Sequence, residues 1–186
     1  MREHNRSLAD FNFDGQWTLF LDRDGVINKK IENDYVRSWD QFEFLPGVLD
    51  ALNKLSKVFG RIIIVTNQRG IGRGLMTEEE LHRIHEKMLE VIRQHGGRID
   101  RIYYCPHDHE KQECDCRKPK PGLALQAKKD FPEIDFQRSV MIGDSESDMI
   151  FAKNLGMVAV CICQGNCKEG WDFVFANLQE FSQVIR

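Results

Sequence analysis

The chain has 186 residues, 41% hydrophobic and 30% charged, which is enough apolar material for one sizeable core and ordinary for a water-soluble globular domain. Its formal net charge of -3 argues against nucleic acid as the main partner, because a surface that grips a phosphate backbone shows as a basic excess. The opening MREHNRSLADFNFDG is too polar for a secretory leader and no apolar run reaches membrane-spanning length, so a cytoplasmic location and no membrane partner are expected.

Residues 1–16 read as an irregular lead-in and residues 17–186 as one domain. The apolar run at 17–21 stops abruptly at Asp22-Arg23-Asp24-Gly25, the pattern of a buried strand emptying into a polar loop. Residues 42–45 are expected to close a small hairpin, after which Pro46-Gly47 opens a helix with Val48, Leu52 and Leu55 on one face. Residues 61–65 (RIIIV) form a second strand, ending at Thr66. The glycine-rich loop TNQRGIGRG then leads to a capping box at Thr77-Glu78-Glu79-Glu80. The helix begun there carries Leu81, Ile84, Met88, Val91 and Ile92 on its apolar face. The order is completed by a strand at 101–104, a helix at 121–129, a strand at 139–142, a helix at 147–154 stopped near Gly156, strands at 157–162 and 173–175, and a helix from Asn177.

Almost wholly apolar strands alternating with helices predict an α/β fold: a single Rossmann-like, three-layer domain with a mainly parallel sheet covered on both faces. The segments after Asp24 and Thr66 leave no room for a large cap. Ligands of such folds sit beyond the carboxyl ends of the strands. Polar motifs begin where the apolar runs stop, after Leu21, Val65, Tyr104 and Ile142, which places an active site there.

Asp22 and Asp24 would repel a phosphoryl group and each other unless a hard cation neutralised them, so magnesium is implied, and Asp144 and Asp148 of GDSESD can complete its site. Thr66 and Asn67 offer a hydroxyl and an amide to phosphate oxygens, and Lys118 offers a fixed positive charge that stabilises the transferring group. Asp-rich turns are also common loop punctuation, but three strand-end motifs of complementary charge are harder to obtain by accident.

Cys105, His107, Cys114 and Cys116 form CPH-x6-CDC, three thiolates and an imidazole within twelve residues, a set that suits a tetrahedral structural zinc. Such a metal would pin a loop that lacks a core and hold Arg117 and Lys118 toward the phosphate. His109 competes with His107, and the CPH spacing favours His107. Cys161, Cys163 and Cys167 form CxCxxxC with no fourth partner nearby and read mostly as structural thiols, a second metal or redox site being the alternative.

LFLDRDGVIN, IVTNQRG, CDCRKPKPG and MIGDSESDM resemble the four ordered motifs of the haloacid dehalogenase superfamily and span most of the chain. The resemblance implies Asp22 as nucleophile and Asp24 as general acid and then base, with Thr66 and Lys118 as the second and third motif residues. It implies magnesium on Asp22, the Asp24 carbonyl and Asp144, supported by Asp148. The cysteine-histidine loop is similar to that of the heptose-bisphosphate and histidinol-phosphate phosphatase families, and TNQRGIGRG, DQFEFLPGV and IYYCPH resemble the heptose branch more closely. That likeness implies a sugar bisphosphate as substrate, with Arg117, Arg69 and Arg73 near the second phosphate. Two positions depart from the heptose pattern: Ser145 stands where that branch usually has lysine, and Arg69 where it has a small residue. Histidinol phosphate is the competing substrate, polynucleotide 3'-phosphatases resemble the same core, and the different-class alternative is a zinc-stabilised binding protein without catalysis. A monomer is expected, since a fold of this size needs no partner.

Overall fold

The computed structural model describes residues 8, 11–165, 167 and 169–185, so most of residues 1–10 of the expected lead-in lie outside the described residues. Six parallel strands form one sheet in the order β3-β2-β1-β4-β5-β6. They are β1 (Thr18–Leu21), β2 (Arg61–Asn67), β3 (Arg101–Cys105), β4 (Ser139–Gly143), β5 (Val158–Ile162) and β6 (Phe173–Phe175). The helices are α1 (Val48–Leu55), α2 (Arg69–Gly72), α3 (Glu78–Gln94), α4 (Gly122–Asp130), α5 (Glu146–Leu155) and α6 (Leu178–Val184).

Side chains alternate across a strand, so an apolar run buried on both faces feeds two separate cores. Leu19, Leu21, Ile62, Ile64, Val140 and Ile142 pack under α1, α3 and α6. Phe20, Ile63, Val65 and Met141 point the other way and meet Leu123, Ala124 and Ala127 of α4 and Phe151 and Ala152 of α5. That is the expected three-layer arrangement. Parallel pairing brings the carboxyl ends of β1, β2 and β4 side by side, because Leu21 is level with both Ile64 and Ile142.

Differences from the sequence reading are local. Phe44 makes a single antiparallel bridge to Asn28 instead of a hairpin. The partner stretch cannot extend as a strand because the N–H groups of Ile27 and Asn28 both turn back to the Arg23 carbonyl, at 2.8 and 3.2 Å. On α3 the capping box is present, but Val91 is only half-buried and His85 occupies a buried place on the apolar face. The glycine-rich loop contains the short helical turn α2, which periodicity did not reveal. Phe13 of the lead-in is buried, with its ring 4.8 Å from Trp17 and 5.6 Å from Phe59. Among the described residues no cap domain interrupts the fold, and no helix is long and apolar enough to cross a membrane.

Candidate active site

The strand-end motifs converge. Asp22 follows β1, Thr66 and Asn67 close β2, Asp144 follows β4, and Lys118 arrives from the loop before α4. Asp22, Thr66, Asn67 and Lys118 line a cleft of about 260 Å³ with Asp24, Lys30, Tyr35, Arg117 and Ser145. The sheet pairing continues one residue past β1, where the Asp22 N–H donates to the Ile142 carbonyl at 2.9 Å and fixes the start of the loop. Gly25 then turns with φ +90°, a left-handed conformation in which a Cβ would collide with the Asp144 carboxylate.

Lys118 is 2% exposed, with Nζ 3.0 Å from Asp22 Oδ1 and 2.6 Å from Asp148 Oδ1. Burial alone would lower its pKa, but the charges of Asp148 and Asp22 outweigh it and hold the ammonium above its usual range. Asn67 clamps the lysine backbone: its Oδ1 accepts from the Lys118 N–H at 3.0 Å and its Nδ2 donates to the Lys118 carbonyl at 3.2 Å. The Asn67 amide, expected on phosphate, is therefore committed to placing Lys118. Asp148 is fully buried, and its Oδ2 accepts from the Ser145 N–H at 3.2 Å and the Ser145 hydroxyl at 2.5 Å, a capping box at the start of α5. Gly143 makes that approach possible, because a Cβ there would fall on the Asp148 side chain.

Asp24 accepts three donors: Arg23 at 2.8 Å and Asn28 at 2.9 Å on Oδ1, and Gln68 at 2.9 Å on Oδ2. Burial pushes its carboxyl up, but the Arg23 guanidinium and these hydrogen bonds win and hold it below the usual carboxylate range. Gln68 also donates to Thr66 Oγ1 at 2.9 Å, leaving the threonine O–H free to turn toward the cleft. Arg23 is fully buried, and its second amino group meets His85 Nε2 at 3.1 Å. Burial, helped by Arg23, drives the His85 pKa down to about 3, so the imidazole is neutral, accepts from Arg23 and carries its proton on Nδ1.

The residues fit a hard divalent cation. Ligand atoms of Asp22, Asp144 and Asp148 lie within 4.8 Å of one another. Burial, assisted by Asp148, Asp144 and Asp24 and opposed by Lys118, raises the Asp22 carboxyl to about 7. Asp144 Oδ1 is buried without a hydrogen-bond partner, while its Oδ2 meets Lys30 Nζ at 2.8 Å. An orphaned buried oxygen beside a carboxylate that resists ionisation is the electrostatic gap a magnesium ion fills.

Cys105, His107, Cys114 and Cys116 also converge, all four ligand atoms lying within 4.8 Å of one another, whereas His109 is not among them. Cys116 Sγ is 2.9 Å from Cys105 Sγ and 3.1 Å from His107 Nδ1. Burial and its neighbour Cys105 push the Cys116 thiol well up. Soft donors so crowded suit one tetrahedral cation, and zinc fits that donor set.

Of the expected phosphate-binding arginines, Arg117 lines the cleft with a buried, unpartnered Nη1. Arg69 corrects the expectation. Its Nε donates to Asp108 at 2.6 Å and Nη2 pairs with Glu110 at 2.6 Å, which ties α2 to the cysteine loop and leaves it off the cleft lining. The larger residue at that position is thereby accounted for, since its charge is spent on Asp108. Arg73 is exposed and also absent from the lining, and the Asp34 carboxyl at the cleft is lowered first by its hydrogen bond from Arg37 and only last by the charge of Arg73. The sequence reading missed Arg23, Asn28, Lys30, Gln68 and His85. His85 alone left a signal, a polar residue on the apolar stripe of α3.

Residues 8–161 match the family described as polynucleotide kinase 3 phosphatase. A D-glycero-alpha-D-manno-heptose-1,7-bisphosphate 7-phosphatase of Mycobacterium bovis is 42% identical, over 91% of this chain and 92% of that protein. The D-glycero-beta-D-manno-heptose-1,7-bisphosphate 7-phosphatase of Escherichia coli is 38% identical, over 90% and 93%. Among solved structures, the D,D-heptose 1,7-bisphosphate phosphatase of B. bronchiseptica, complexed with magnesium and phosphate, superposes with a TM-score of 0.80 at 32% identity, over 90% of this chain and 96% of that one.

Proposed function

The chain belongs to the haloacid dehalogenase superfamily, in the polynucleotide kinase 3 phosphatase family, and on that premise we propose that it is a magnesium-dependent phosphatase acting on the C7 phosphate of a heptose 1,7-bisphosphate. The observation that carries the reading is the pairing at one cleft of Asp22, held by Lys118, with Asp24, held by Arg23, Asn28 and Gln68.

Magnesium, held by Asp22, the Asp24 carbonyl and Asp144, would neutralise the carboxylates and the phosphate oxygens. The Asp22 carboxylate attacks phosphorus in line, and the bond from phosphorus to the sugar oxygen breaks. Asp24 gives its proton to that oxygen. It enters this step protonated because the incoming phosphate adds negative charge beside it, which raises its proton affinity. Water then attacks the aspartyl phosphate while Asp24 takes its proton, and cleavage of the bond to Asp22 Oδ releases inorganic phosphate and restores both carboxyl groups. Lys118 steadies the nucleophile and the transferring oxygens, and the Thr66 hydroxyl donates to one of them. Asp148 holds Lys118 from behind, and Asn67 holds its backbone.

Arg117, with an unpartnered Nη1, gives the cleft a cation not spent on the reacting centre, which suits the second phosphate of a bisphosphate better than the ammonium of histidinol phosphate. Zinc on Cys105, His107, Cys114 and Cys116 fixes the loop that carries Arg117 and Lys118. We take the protein to work as a cytoplasmic monomer with its catalytic domain over 17–186 and no nucleic-acid or membrane partner. The family description favours a second reading, removal of a 3'-phosphate from a polynucleotide end. The test is kcat/KM with magnesium on both anomers of heptose 1,7-bisphosphate, histidinol phosphate and a 3'-phosphorylated oligonucleotide. A preference of about a hundredfold for one heptose anomer, equivalent to about 2.7 kcal/mol, is expected. A preference for either of the others would overturn the substrate.

A further inference from the structure

The proposed chemistry uses none of the three cysteines at the end of β5 and in the connection after it. Cys161 is buried at the end of that strand, level with Gly143 of β4, and Cys163 and Cys167 are half-buried in the connection to β6. Their sulfurs all lie within 4.8 Å of one another. Cys163 and Cys167 are in disulfide contact, and Cys161 Sγ is 2.7 Å from Cys167 Sγ. A disulfide accounts for two of these sulfurs and leaves the third pressed against the pair without a task. It also closes a loop with a sequence separation of only four, where a cross-link removes least entropy from the unfolded chain. A shared cation accounts for all three.

We propose that in the reduced chain Cys161, Cys163 and Cys167 form a second thiolate site that holds one soft d10 cation, copper(I) or zinc. Each thiol gives up its proton to solvent as its sulfur binds, and no oxidant or reductant is consumed. Three thiolates without an imidazole or carboxylate among them make the softest donor set in the molecule and suit trigonal copper(I), or zinc with water in the fourth position. The site is reachable from solvent through Cys163 and Cys167. It also has a structural task, since between Cys163 and Trp171 the sequence offers no other apolar side chain to anchor the connection. At its base the Cys163 N–H donates to the Phe175 carbonyl at 2.9 Å, and Trp171 packs on the second core. The sulfurs would fasten what lies between. Cys163 and Gln164 share a cavity of about 400 Å³ with Gly25, Lys30 and Asp144, so the fastened loop forms a wall next to Asp144.

The full chain is reduced, stripped of metal, and loaded anaerobically with zinc in one arm and copper(I) in the other, then desalted and analysed by elemental analysis and native mass spectrometry. Wild type is expected to retain about two soft ions per chain in at least one arm, and Cys167→Ser about one. Cys114→Ala should lose the other ion and keep this one. Unchanged circular dichroism and phosphatase turnover of Cys167→Ser exclude a folding defect. Equal metal content in wild type and Cys167→Ser overturns the site. So does a reduced wild type that takes up only one ion in both arms, in which case the three thiols serve at most as a disulfide pair and a spare.

Discussion

His85 offers a quantitative test of how Asp24 is positioned through Arg23. In the folded protein its pKa is about 3, because burial and the Arg23 guanidinium disfavour the imidazolium, while an unfolded chain titrates near 6.5. The folded imidazole therefore gives up its proton at lower pH than the unfolded one. Between those values the unfolded state binds more protons, so stability is intact above about pH 6.5 and falls as pH drops toward 3. At about pH 5 the loss from this one group is roughly 2 kcal/mol, and below pH 3 it approaches about 5 kcal/mol. The perturbation is His85→Gln, whose amide oxygen can still accept from Arg23 but does not titrate. Urea unfolding at pH 8 and pH 5 measures it. The variant should be the less stable at pH 8, by about 1–3 kcal/mol for an imperfect bond to a buried cation, and the deficit should shrink by about 2 kcal/mol at pH 5. Stability curves that stay parallel over that range would refute a buried neutral imidazole paired to Arg23. Because Arg23 also donates to Asp24, kcat of the variant should fall more than KM rises.

Three further outcomes are expected. Asp22→Asn should retain fold and zinc content and lose essentially all phosphatase turnover, because no carboxylate remains to form the acyl phosphate; wild-type-like turnover would end the mechanism. Cys114→Ala should lower bound zinc by about one equivalent and lower Tm by more than it lowers turnover per folded chain, as read by elemental analysis and calorimetry. Arg117→Ala should raise KM for a bisphosphate by about ten- to a hundredfold, the worth of a charge-assisted hydrogen bond of about 1.5–3 kcal/mol, and hardly change KM for a monophosphate; equal effects on both would place Arg117 at the reacting phosphate.

The sheet was legible because each strand is a short apolar run bounded by polar residues, and strand-end placement singled out Asp22, Asp24, Thr66 and Asp144 as candidates with no knowledge of pairing. The same logic could not distinguish a side chain that faces the cleft from one that braces it. Asn67 follows Thr66 on β2, yet its amide is bound to the Lys118 backbone, a contact across 51 positions. Arg69 looked like a phosphate ligand by charge and position, but Asp108, acidic and 39 positions away, takes its guanidinium. Asp148, expected as a support of the site, lies in the first turn of α5 and meets Lys118 Nζ at 2.6 Å, a partner 30 positions away. Partners distant in sequence carry the remaining information, and a pattern of residue types along one chain does not encode them.

Ser145 shows how far such compensation reaches. The resemblance to the heptose branch implies a lysine here, next to Asp144, and serine carries no such charge. The structure puts a cation back from another segment: Lys30 Nζ lies 2.8 Å from Asp144 Oδ2, a contact between residues 114 positions apart. Burial would lower the proton affinity of Lys30, but the hydrogen bond and charge of Asp144 outweigh it, followed by the charges of Asp22 and Asp148. Ser145 meanwhile does what a lysine cannot: its hydroxyl caps α5 on Asp148, the carboxylate that holds Lys118. Two tasks that one lysine position could not combine are thus divided between a serine and a distant lysine. Lys30 thus sets the charge beside Asp144 from a surface segment, while Ser145 bears on Asp22 through Asp148 and Lys118.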